Sequence, residues 1–405
     1  MEKLKNKEHD FSSKLRQSSV IERLKEYISW RRSFEASDTS KAFPDYGPLS
    51  INLDLTTACN FRCPHCVDSK IINSGKILDT ENLKQSIDTL KSHGLMSVIL
   101  IGGGEPTLHR DFEEIVRYLK NRGMQIGIVT NGSRLQHIKN IAKLLEGKDW
   151  LRISIDAASE TTFARSHNPK NNISLETILS NAREFKELNP RISMGYSFVI
   201  VWEGIYIDGK QLCPNIDEIP QAVRLAKTYH FDYISFKPCL LKLDLSQKES
   251  LFDPPDKIRE QKVIKEIKNN LQQAKQIANK KIKILKSINL SELMGGKVHE
   301  MKKQPKTCHA QFFRAVLTPS GIFHCPAFRG ADKAKIGNYN GYDDENKFND
   351  TQQDLAHSIA NFNAEQECSV VACFYHHLNW WIENSIHSNE NVDEIEEEKD
   401  DDFFL

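Results

Sequence analysis

The stretch TTACNFRCPHCVDS, residues 56–69, is the most informative part of this chain because it places three cysteines within eight positions. Cys59, Cys63 and Cys66 have the spacing C-x3-C-x2-C. A structural zinc site needs a closed tetrahedron of four ligands, and His65 would reach the same ion as its neighbours only with strain. A [4Fe–4S] cluster is usually held by four cysteines. Three cysteines therefore leave one iron open to another ligand.

The segment INLDL, which starts at Ile51 just before the cysteines, is the first of six short apolar stretches. Between these stretches apolar residues recur with the helical spacing i, i+3, i+4 and i+7, as in residues 112–119. Six strand–helix repeats predict an α/β fold whose parallel sheet is open or curled into a partial (β/α)6 TIM-like barrel. Ligands bind such sheets beyond the carboxyl ends of the strands, and the cysteines follow the first strand. The five other predicted strands start at Ser97, Ile126, Arg152, Gly195 and Tyr233.

Polar groups follow the next three predicted strands at the same edge of the sheet. The second strand runs into GGGEP, whose glycines let backbone groups approach a ligand and whose Glu105 suits a ligand ammonium group. Asn131 follows the third strand, and the fourth carries Ser154 and Asp156, which suit ribose hydroxyls. Arg165 adds a guanidinium group, which can bind a carboxylate through two hydrogen bonds. Together these groups describe a site for an amino acid joined to a nucleoside.

In the motifs CNFRCPHC and GGGEP, the polar strand ends and the six-strand arrangement, the chain closely resembles the radical S-adenosylmethionine (SAM) superfamily over about residues 49–240. The resemblance implies a [4Fe–4S] cluster on the three cysteines, with SAM chelating the fourth iron through its amine and carboxylate. One electron from the cluster would cleave SAM to methionine and a 5′-deoxyadenosyl radical, which takes hydrogen from a C–H bond. His65 stands where the family usually has an aromatic residue near the adenine. The residues expected to contact SAM are Gly103, Gly104, Glu105, Asn131, Ser154, Asp156, Arg165 and His65.

Four more cysteines lie in a C-terminal unit, and two of them flank the predicted β-hairpin CHAQFFRAVLTPSGIFHC. This unit resembles the SPASM/twitch extension of radical SAM enzymes, which holds auxiliary clusters. It departs from that family because three residues, not four, separate Gly321 from Cys325, and because the long C-terminal cysteine series is absent. The resemblance and the count of cysteines imply one fully ligated auxiliary [4Fe–4S] cluster, and a zinc site with the same thiolates is the alternative. The four cysteines are Cys308, Cys325, Cys368 and Cys373.

Two cysteines have no predicted cluster. Cys213 fits the usual behaviour of a free cysteine as a small hydrophobic residue. Cys239 follows the sixth predicted strand, where a substrate would lie, and we expect its thiol to face the substrate as a hydrogen-atom donor. A packed core thiol is the alternative for Cys239. Lys237 lies at the same strand end.

Length and composition predict the domain organisation. A chain of 405 residues with a formal net charge of zero predicts two or three domains and no general affinity for nucleic acid. The N-terminus lacks a secretory signal, no apolar run approaches the roughly 20 residues of a membrane span, and the clustered cysteines indicate metal or redox chemistry in the cytoplasm. We expect a monomer. The predicted units are an N-terminal helical extension (1–48), the radical SAM core (49–240), a basic helical linker (241–305), the auxiliary-cluster domain (306–386) and an acidic disordered tail (387–405).

The predicted function is dehydrogenation or epimerisation at a C–H bond of a small polyol, sugar or amino-sugar, with an electron donor such as flavodoxin or ferredoxin. Maturation of a ribosomally made peptide, by crosslinking, epimerisation or oxidation, is the alternative, although no separate peptide-recognition module is evident. The basic stretch 257–306 leaves tRNA modification open, but its lysines also fit the solvated face of an amphipathic helix. A non-enzymatic zinc or iron–sulfur protein is the alternative from a different class.

Overall fold

One sheet of ten strands organises the part of the chain that the structure describes. The structure is a computed structural model, and it describes residues 10–37, 41–170, 173–243, 248–251 and 257–405. The strands of this sheet and of two short hairpins, in chain order, are β1 (Ser50–Leu53), β2 (Ser97–Leu100), β3 (Gln125–Thr130), β4 (Trp150–Ser154), β5 (Ser193–Ile200), β6 (Tyr206–Ile207), β7 (Lys210–Gln211), β8 (Tyr233–Pro238), β9 (Leu241–Leu243), β10 (Lys248–Ser250), β11 (Lys283–Lys286), β12 (Arg314–Thr318), β13 (Gly321–Phe323) and β14 (Lys335–Gly337).

The sheet runs in the order β11-β8-β5-β4-β3-β2-β1-β12-β13-β14, and the pairs from β11 to β12 are all parallel. Each of the six strands predicted from the sequence is present, as β1, β2, β3, β4, β5 and β8. Strand β11 adds a seventh parallel strand beside β8. The prediction of an α/β fold with a partial TIM-like barrel is therefore confirmed.

Helices alternate with the parallel strands, as the apolar spacing predicts. In the helix at residues 112–121 the buried side chains are the predicted stripe, because residues 112, 115, 116 and 119 share one face. Within the described residues, no helix combines the length and the apolar character needed to cross a membrane. The helices are α1 (Phe11–Leu15), α2 (Ile21–Glu35), α3 (Thr80–Ser92), α4 (Phe112–Asn121), α5 (Leu135–Asn140), α6 (Glu160–His167), α7 (Leu175–Leu188), α8 (Ile219–Thr228), α9 (Lys257–Ala278), α10 (Ile288–Met294), α11 (Ala310–Phe313), α12 (Glu345–Asn361), α13 (Ala364–Glu367) and α14 (His376–His387).

The C-terminal hairpin continues the barrel sheet. Strand β12 pairs in parallel with β1, so that Ala315 lies opposite Ile51, and β12 and β13 form the predicted antiparallel hairpin. The edge of β1 would otherwise present unpaired backbone groups, and β12 satisfies them. The C-terminal unit thus shares a sheet and a core with the strands before it, and the predicted boundary near residue 306 is not a break in the sheet.

The acidic C-terminal segment is ordered, which contradicts the prediction that residues 387–405 are disordered. Its last three residues, 403–405, are buried at the amino ends of the barrel strands. The Phe403 carbonyl accepts a hydrogen bond from the Ser97 hydroxyl at 2.8 Å, and its N–H donates to Oε1 of Gln125 at 3.1 Å. The prediction failed because it considered the acidic composition and not the apolar residues that follow the acidic run.

Candidate active site

One cavity of about 1500 Å³ extends from the carboxyl ends of the parallel strands through the interior of the barrel. All nine cysteines are free, and Cys213 is the one that does not line this cavity in the described part of the chain. The fold therefore gathers cysteines from the first strand loop, from the end of β8 and from the C-terminal unit. The cysteines that line the cavity are Cys59, Cys63, Cys66, Cys239, Cys308, Cys325, Cys368 and Cys373.

The loop after β1 brings the first three cysteines together. The Cys59 N–H donates to Oδ1 of Asn73 at 3.0 Å, and the Cys66 N–H donates to the Cys63 carbonyl at 3.1 Å. Burial raises the pKa of the Cys63 thiol, and the neighbouring Cys66, Asp156 and Cys59 raise it further. The three thiols are therefore neighbours, and a bound metal is the kind of group that stabilises their thiolates.

His167, which no motif in the sequence identifies as a site residue, contacts this cysteine loop. Its Nδ1 lies 3.1 Å from Cys63 Sγ, and its Nε2 lies 2.7 Å from the Ile155 carbonyl. Because a carbonyl oxygen only accepts, Nε2 carries the proton in the neutral ring and Nδ1 faces the thiol. Arg165, two residues earlier on α6, lies on another face of the helix, is exposed and does not line the cavity. The structure thus does not bring Arg165 into the site, contrary to the prediction.

Glu105 is buried, and four hydrogen bonds fix its carboxylate. Oε1 accepts from the Thr107 N–H at 3.2 Å and from the hydroxyls of Thr107 and Thr130 at 2.6 and 2.7 Å. Oε2 accepts from the Asn131 N–H at 2.7 Å. Burial raises the pKa of Glu105, and these donors oppose that shift. A carboxylate held in one orientation on the cavity wall suits a ligand ammonium group.

The glycines of GGGEP allow its backbone to pack against the cysteine loop. A Cβ on Gly104 would lie 2.3 Å from the carbonyl oxygen of Thr56. Gly102 has φ +153°, and a Cβ there would lie 2.5 Å from the Asp54 carboxylate. Gly104 lines the cavity, whereas the Gly103 N–H donates to Oδ2 of Asp54 at 3.0 Å. These positions accept no larger residue without movement of the loop.

Asp156 follows β4 with a left-handed backbone, φ +52°, and its buried carboxylate lines the cavity. Its Oδ2 is 3.4 Å from Nε2 of His65 and 3.7 Å from Nε2 of His167, and its Oδ1 accepts from the Val199 N–H at 2.7 Å. Burial would raise the pKa of Asp156, but these three neighbours together hold it below its usual value. The predicted SAM contacts that line the cavity are Gly104, Glu105, Asn131, Ser154, Asp156 and His65.

The four C-terminal cysteines form a second group on the same cavity. Burial raises the pKa of Cys308 to about 12, and Cys325 contributes to that shift. Burial also raises the pKa values of Cys368 and Cys373, and charge on the other members of the group raises both further. Each of these four thiols therefore lies close to others of the four, as the ligands of a single bound cluster must.

Two basic side chains beside the second group have unused hydrogen-bond donors. In the described structure Arg314 donates through Nη1 to the Tyr375 hydroxyl, while its Nε and Nη2 have no hydrogen-bond partner. Neither ring nitrogen of His324 has a hydrogen-bond partner among the described residues, and burial, with the charge of Arg314, lowers the pKa of His324 to about 3. Buried N–H groups are nearly always paired. A buried guanidinium near Cys373, on the cavity that the four thiols line, fits an anionic group bound there, and a thiolate-ligated cluster is such a group.

Among the described residues, no three Cys, His, Asp or Glu side chains converge on a point where one metal ion would be held. A [4Fe–4S] cluster is bound by one cysteine per iron, so its thiols surround a volume. Both cysteine groups line the wall of the cavity, with three cysteines in one group and four in the other. The donor sets present thus fit a three-cysteine cluster and a four-cysteine cluster.

Cys239 lies at the end of β8 and is buried on the cavity wall. Its N–H donates to the Ile200 carbonyl at 2.9 Å, which fixes the backbone that carries the thiol. Burial raises the pKa of Cys239 to about 12, so the thiol keeps its proton at neutral pH. Lys237, two residues earlier, lines the same cavity. This position agrees with the expectation that Cys239 faces a substrate, which stays a prediction.

Comparison with known proteins identifies the domain that carries the first cysteine group. Residues 53–205 match the Radical SAM superfamily, and the predicted cofactors, a [4Fe–4S] cluster and SAM, are those of that family. The chain is 32% identical to the S-adenosylmethionine-dependent nucleotide dehydratase of Selenomonas ruminantium over 163 residues, which are 34% of this chain and 59% of that protein.

Two further known proteins are similar to parts of the chain. The mycofactocin maturase of Mycolicibacterium smegmatis is 35% identical over 114 residues, which are 28% of each protein. The chain thus spans about three fifths of the first relative and about a quarter of the second. Streptococcus suis SuiB bound to its precursor peptide SuiA has a similar fold, with a TM-score of 0.53 and 12% identity over 79% of this chain and 70% of that chain.

Proposed function

We propose that this chain is a radical SAM enzyme that cleaves SAM reductively and removes a hydrogen atom from a C–H bond of a small polyol, sugar or amino-sugar. The observation that carries the proposal is that both cysteine groups and the polar strand ends line one cavity. Cys59, Cys63 and Cys66 would hold a [4Fe–4S] cluster. Together with SAM, that cluster supplies a 5′-deoxyadenosyl radical, which takes hydrogen from a C–H bond.

The chain's own residues would bind and orient SAM. The Glu105 carboxylate is held in place before any ligand arrives and would accept hydrogen bonds from the SAM ammonium group. Ser154 and Asp156 line the cavity where the strand ends would meet the ribose hydroxyls, and His65 would pack near the adenine. Because its neighbours already hold the Glu105 carboxylate in one orientation, that side chain needs little further ordering when SAM binds, which favours affinity.

Polar groups on the wall of the cavity support a hydroxylated substrate. Asn289 is buried there, and its Nδ2 donates to the Ala372 carbonyl at 2.7 Å. Its Oδ1 has no hydrogen-bond partner in the described structure. A buried acceptor without a donor costs free energy, so a substrate hydroxyl is a fitting partner. Lys237 and Ser154 add further polar groups to the same wall.

The fate of the substrate radical would decide the reaction. Dehydrogenation requires loss of one electron, which an acceptor held by the four C-terminal cysteines would take, and of one proton, which would pass to water in the cavity. Epimerisation requires a hydrogen atom delivered to the opposite face of the radical carbon. The protonated Cys239 thiol would supply it, since an S–H bond is weaker than most C–H bonds, and one electron from an external donor with one proton from solvent would convert the resulting thiyl radical back to the thiol. An external electron donor of the flavodoxin or ferredoxin type is part of this proposal, as is a monomeric enzyme.

Peptide maturation is the second candidate function. The likeness to a mycofactocin maturase and the shared fold with SuiB, which was solved with a precursor peptide, favour it. The two candidates differ in which substrate gives a hydrogen atom to the 5′-deoxyadenosyl radical, which thereby becomes 5′-deoxyadenosine. The assay measures deuterium transfer from a deuterated substrate into 5′-deoxyadenosine. Neighbouring genes for a precursor peptide or for sugar-nucleotide enzymes would indicate which deuterated substrates to test.

The test is SAM cleavage by the anaerobically reconstituted, reduced protein. Wild type is expected to form 5′-deoxyadenosine, and replacement of Cys59, Cys63 and Cys66 by alanine is expected to abolish it. Cys213→Ala is the matched control, because Cys213 lies outside the cavity, and it should retain cleavage. Undiminished cleavage by the triple variant, or none by wild type with stoichiometric zinc bound, would overturn the proposal.

A further inference from the structure

Arg329 connects the two cysteine groups through a buried ion-pair network. It follows Cys325 by four residues, and one short 3-10 helix, Pro326–Phe328, separates the two. Its Nε lies 2.9 Å from Oδ2 of Asp54, and its Nη1 lies 2.8 Å from Oδ2 of Asp68. The three side chains are at most 9% exposed. One guanidinium from the C-terminal unit thus pairs with two carboxylates of the radical SAM domain.

Each of these carboxylates belongs to a different part of the SAM site. Asp68 follows Cys66 by two residues, and its carbonyl accepts from the Ile71 N–H at 2.8 Å, so it forms the turn that ends the cysteine loop. Asp54 accepts from the Gly103 N–H at 3.0 Å and thereby holds the GGGEP segment. The guanidinium therefore holds the cysteine loop and the GGGEP segment in one relative position.

The segment that carries Arg329 is itself anchored beside the second cysteine group. The Phe328 N–H donates to the Cys325 carbonyl at 3.2 Å, and the Arg329 N–H donates to the Pro326 carbonyl at 3.3 Å. A movement of Cys325 therefore moves the guanidinium. Because removing one partner from a buried ion pair leaves an uncompensated charge, the carboxylates follow the guanidinium more readily than they separate from it.

We propose that Arg329 is a positioning residue that makes SAM binding depend on occupancy of the four-cysteine site. The group bound at the C-terminal cysteines holds Cys325, Arg329 transmits that position to Asp54 and Asp68, and the cysteine loop and GGGEP then adopt the arrangement that binds SAM. The enzyme would thus bind SAM tightly only when its second site is assembled. The proposal rests on the proposed function, and it adds a regulation of the same site.

The first experiment measures backbone hydrogen exchange in the protein without clusters. Arg329→Met keeps the length of the side chain and removes its charge, and it should speed exchange across residues 54–72 and 101–107. Lys333→Met is the matched control, because Lys333 pairs with Glu367 on the surface of the same unit. Exchange that is equal in these two variants would overturn the coupling. If Arg329→Met does not fold, Arg329→Lys and Asp68→Asn replace it, with the same expectation.

The second experiment measures SAM affinity in reconstituted protein from the change that SAM causes in the electron paramagnetic resonance spectrum of the reduced cluster. Arg329→Met should weaken SAM binding by about 5–150-fold, the usual range of coupling between sites. Replacing Cys368 and Cys373 by alanine should weaken it equally, and combining both changes should add nothing. Additive losses, or full affinity without the second site, would overturn the proposal. A wild type that cleaves no SAM refutes the proposed function instead, and the exchange experiment still tests the coupling.

Discussion

Phe404→Ala is expected to lower the free energy of unfolding by about 3 kcal/mol, because truncation of a core phenylalanine costs about 3–5 kcal/mol. The side chain is buried at the amino ends of the barrel strands, and its ring lies 5.4 Å from that of Trp150 in an edge-to-face arrangement. The lower end of the range applies because the site lies at the end of the barrel, where neighbouring residues relax more easily. The hydrogen bond from Lys14 Nζ to the Phe404 carbonyl, 2.6 Å, involves the backbone, so the substitution removes the ring alone.

The assay is urea denaturation of the protein without clusters, combined with limited proteolysis of the segment after residue 387. The variant should lose stability and become sensitive to cleavage in that segment, since the ring anchors it to the barrel. Phe34→Ala is the matched control because Phe34 is 48% exposed, and it should change the free energy of unfolding by less than about 1 kcal/mol. Equal stability and equal cleavage in the two variants would refute the docking of the C-terminal segment.

Three further predictions concern the cavity. Glu105→Gln should weaken SAM binding about ten- to a hundredfold, since it loses a charge-assisted hydrogen bond. The matched change at the exposed Glu114, Glu114→Gln, should leave SAM affinity unchanged. Equal SAM affinities of the two variants, measured by titration, would make Glu105 a structural residue. The reconstituted protein should contain about eight irons per chain, and alanine at the four C-terminal cysteines should lower this to about four; stoichiometric zinc with four irons would instead support a structural zinc site. Cys239→Ala should cleave SAM normally yet incorporate no solvent deuterium at the inverted carbon of an epimerised substrate, as mass spectrometry would detect; incorporation equal to wild type would return Cys239 to a packing role.

The fold class and the first cysteine group are readable from the sequence because each is a property of a contiguous segment. The apolar stretches of β1 to β5 and β8 are as long as typical strands, and the segments between them have helical spacing. Local periodicity is therefore enough to assign the strands and helices in their order along the chain. The spacing of the three cysteines and the GGGEP motif follow directly from neighbouring residues. Parallel pairing then brings these strand ends to one edge without further information.

The contacts that join distant segments depended on the tertiary structure. Arg329 and Asp68 are 261 positions apart, and nothing in the residues around either one identifies the other as its partner. The choice between Arg165 and His167 depended on which face of α6 packs against the cysteine loop, which helical spacing leaves undetermined. The acidic C-terminal segment is ordered because Phe403, Phe404 and Leu405 pack against an apolar surface at the amino ends of the barrel strands. Such a surface exists only after the strands have assembled, so local composition alone does not reveal it.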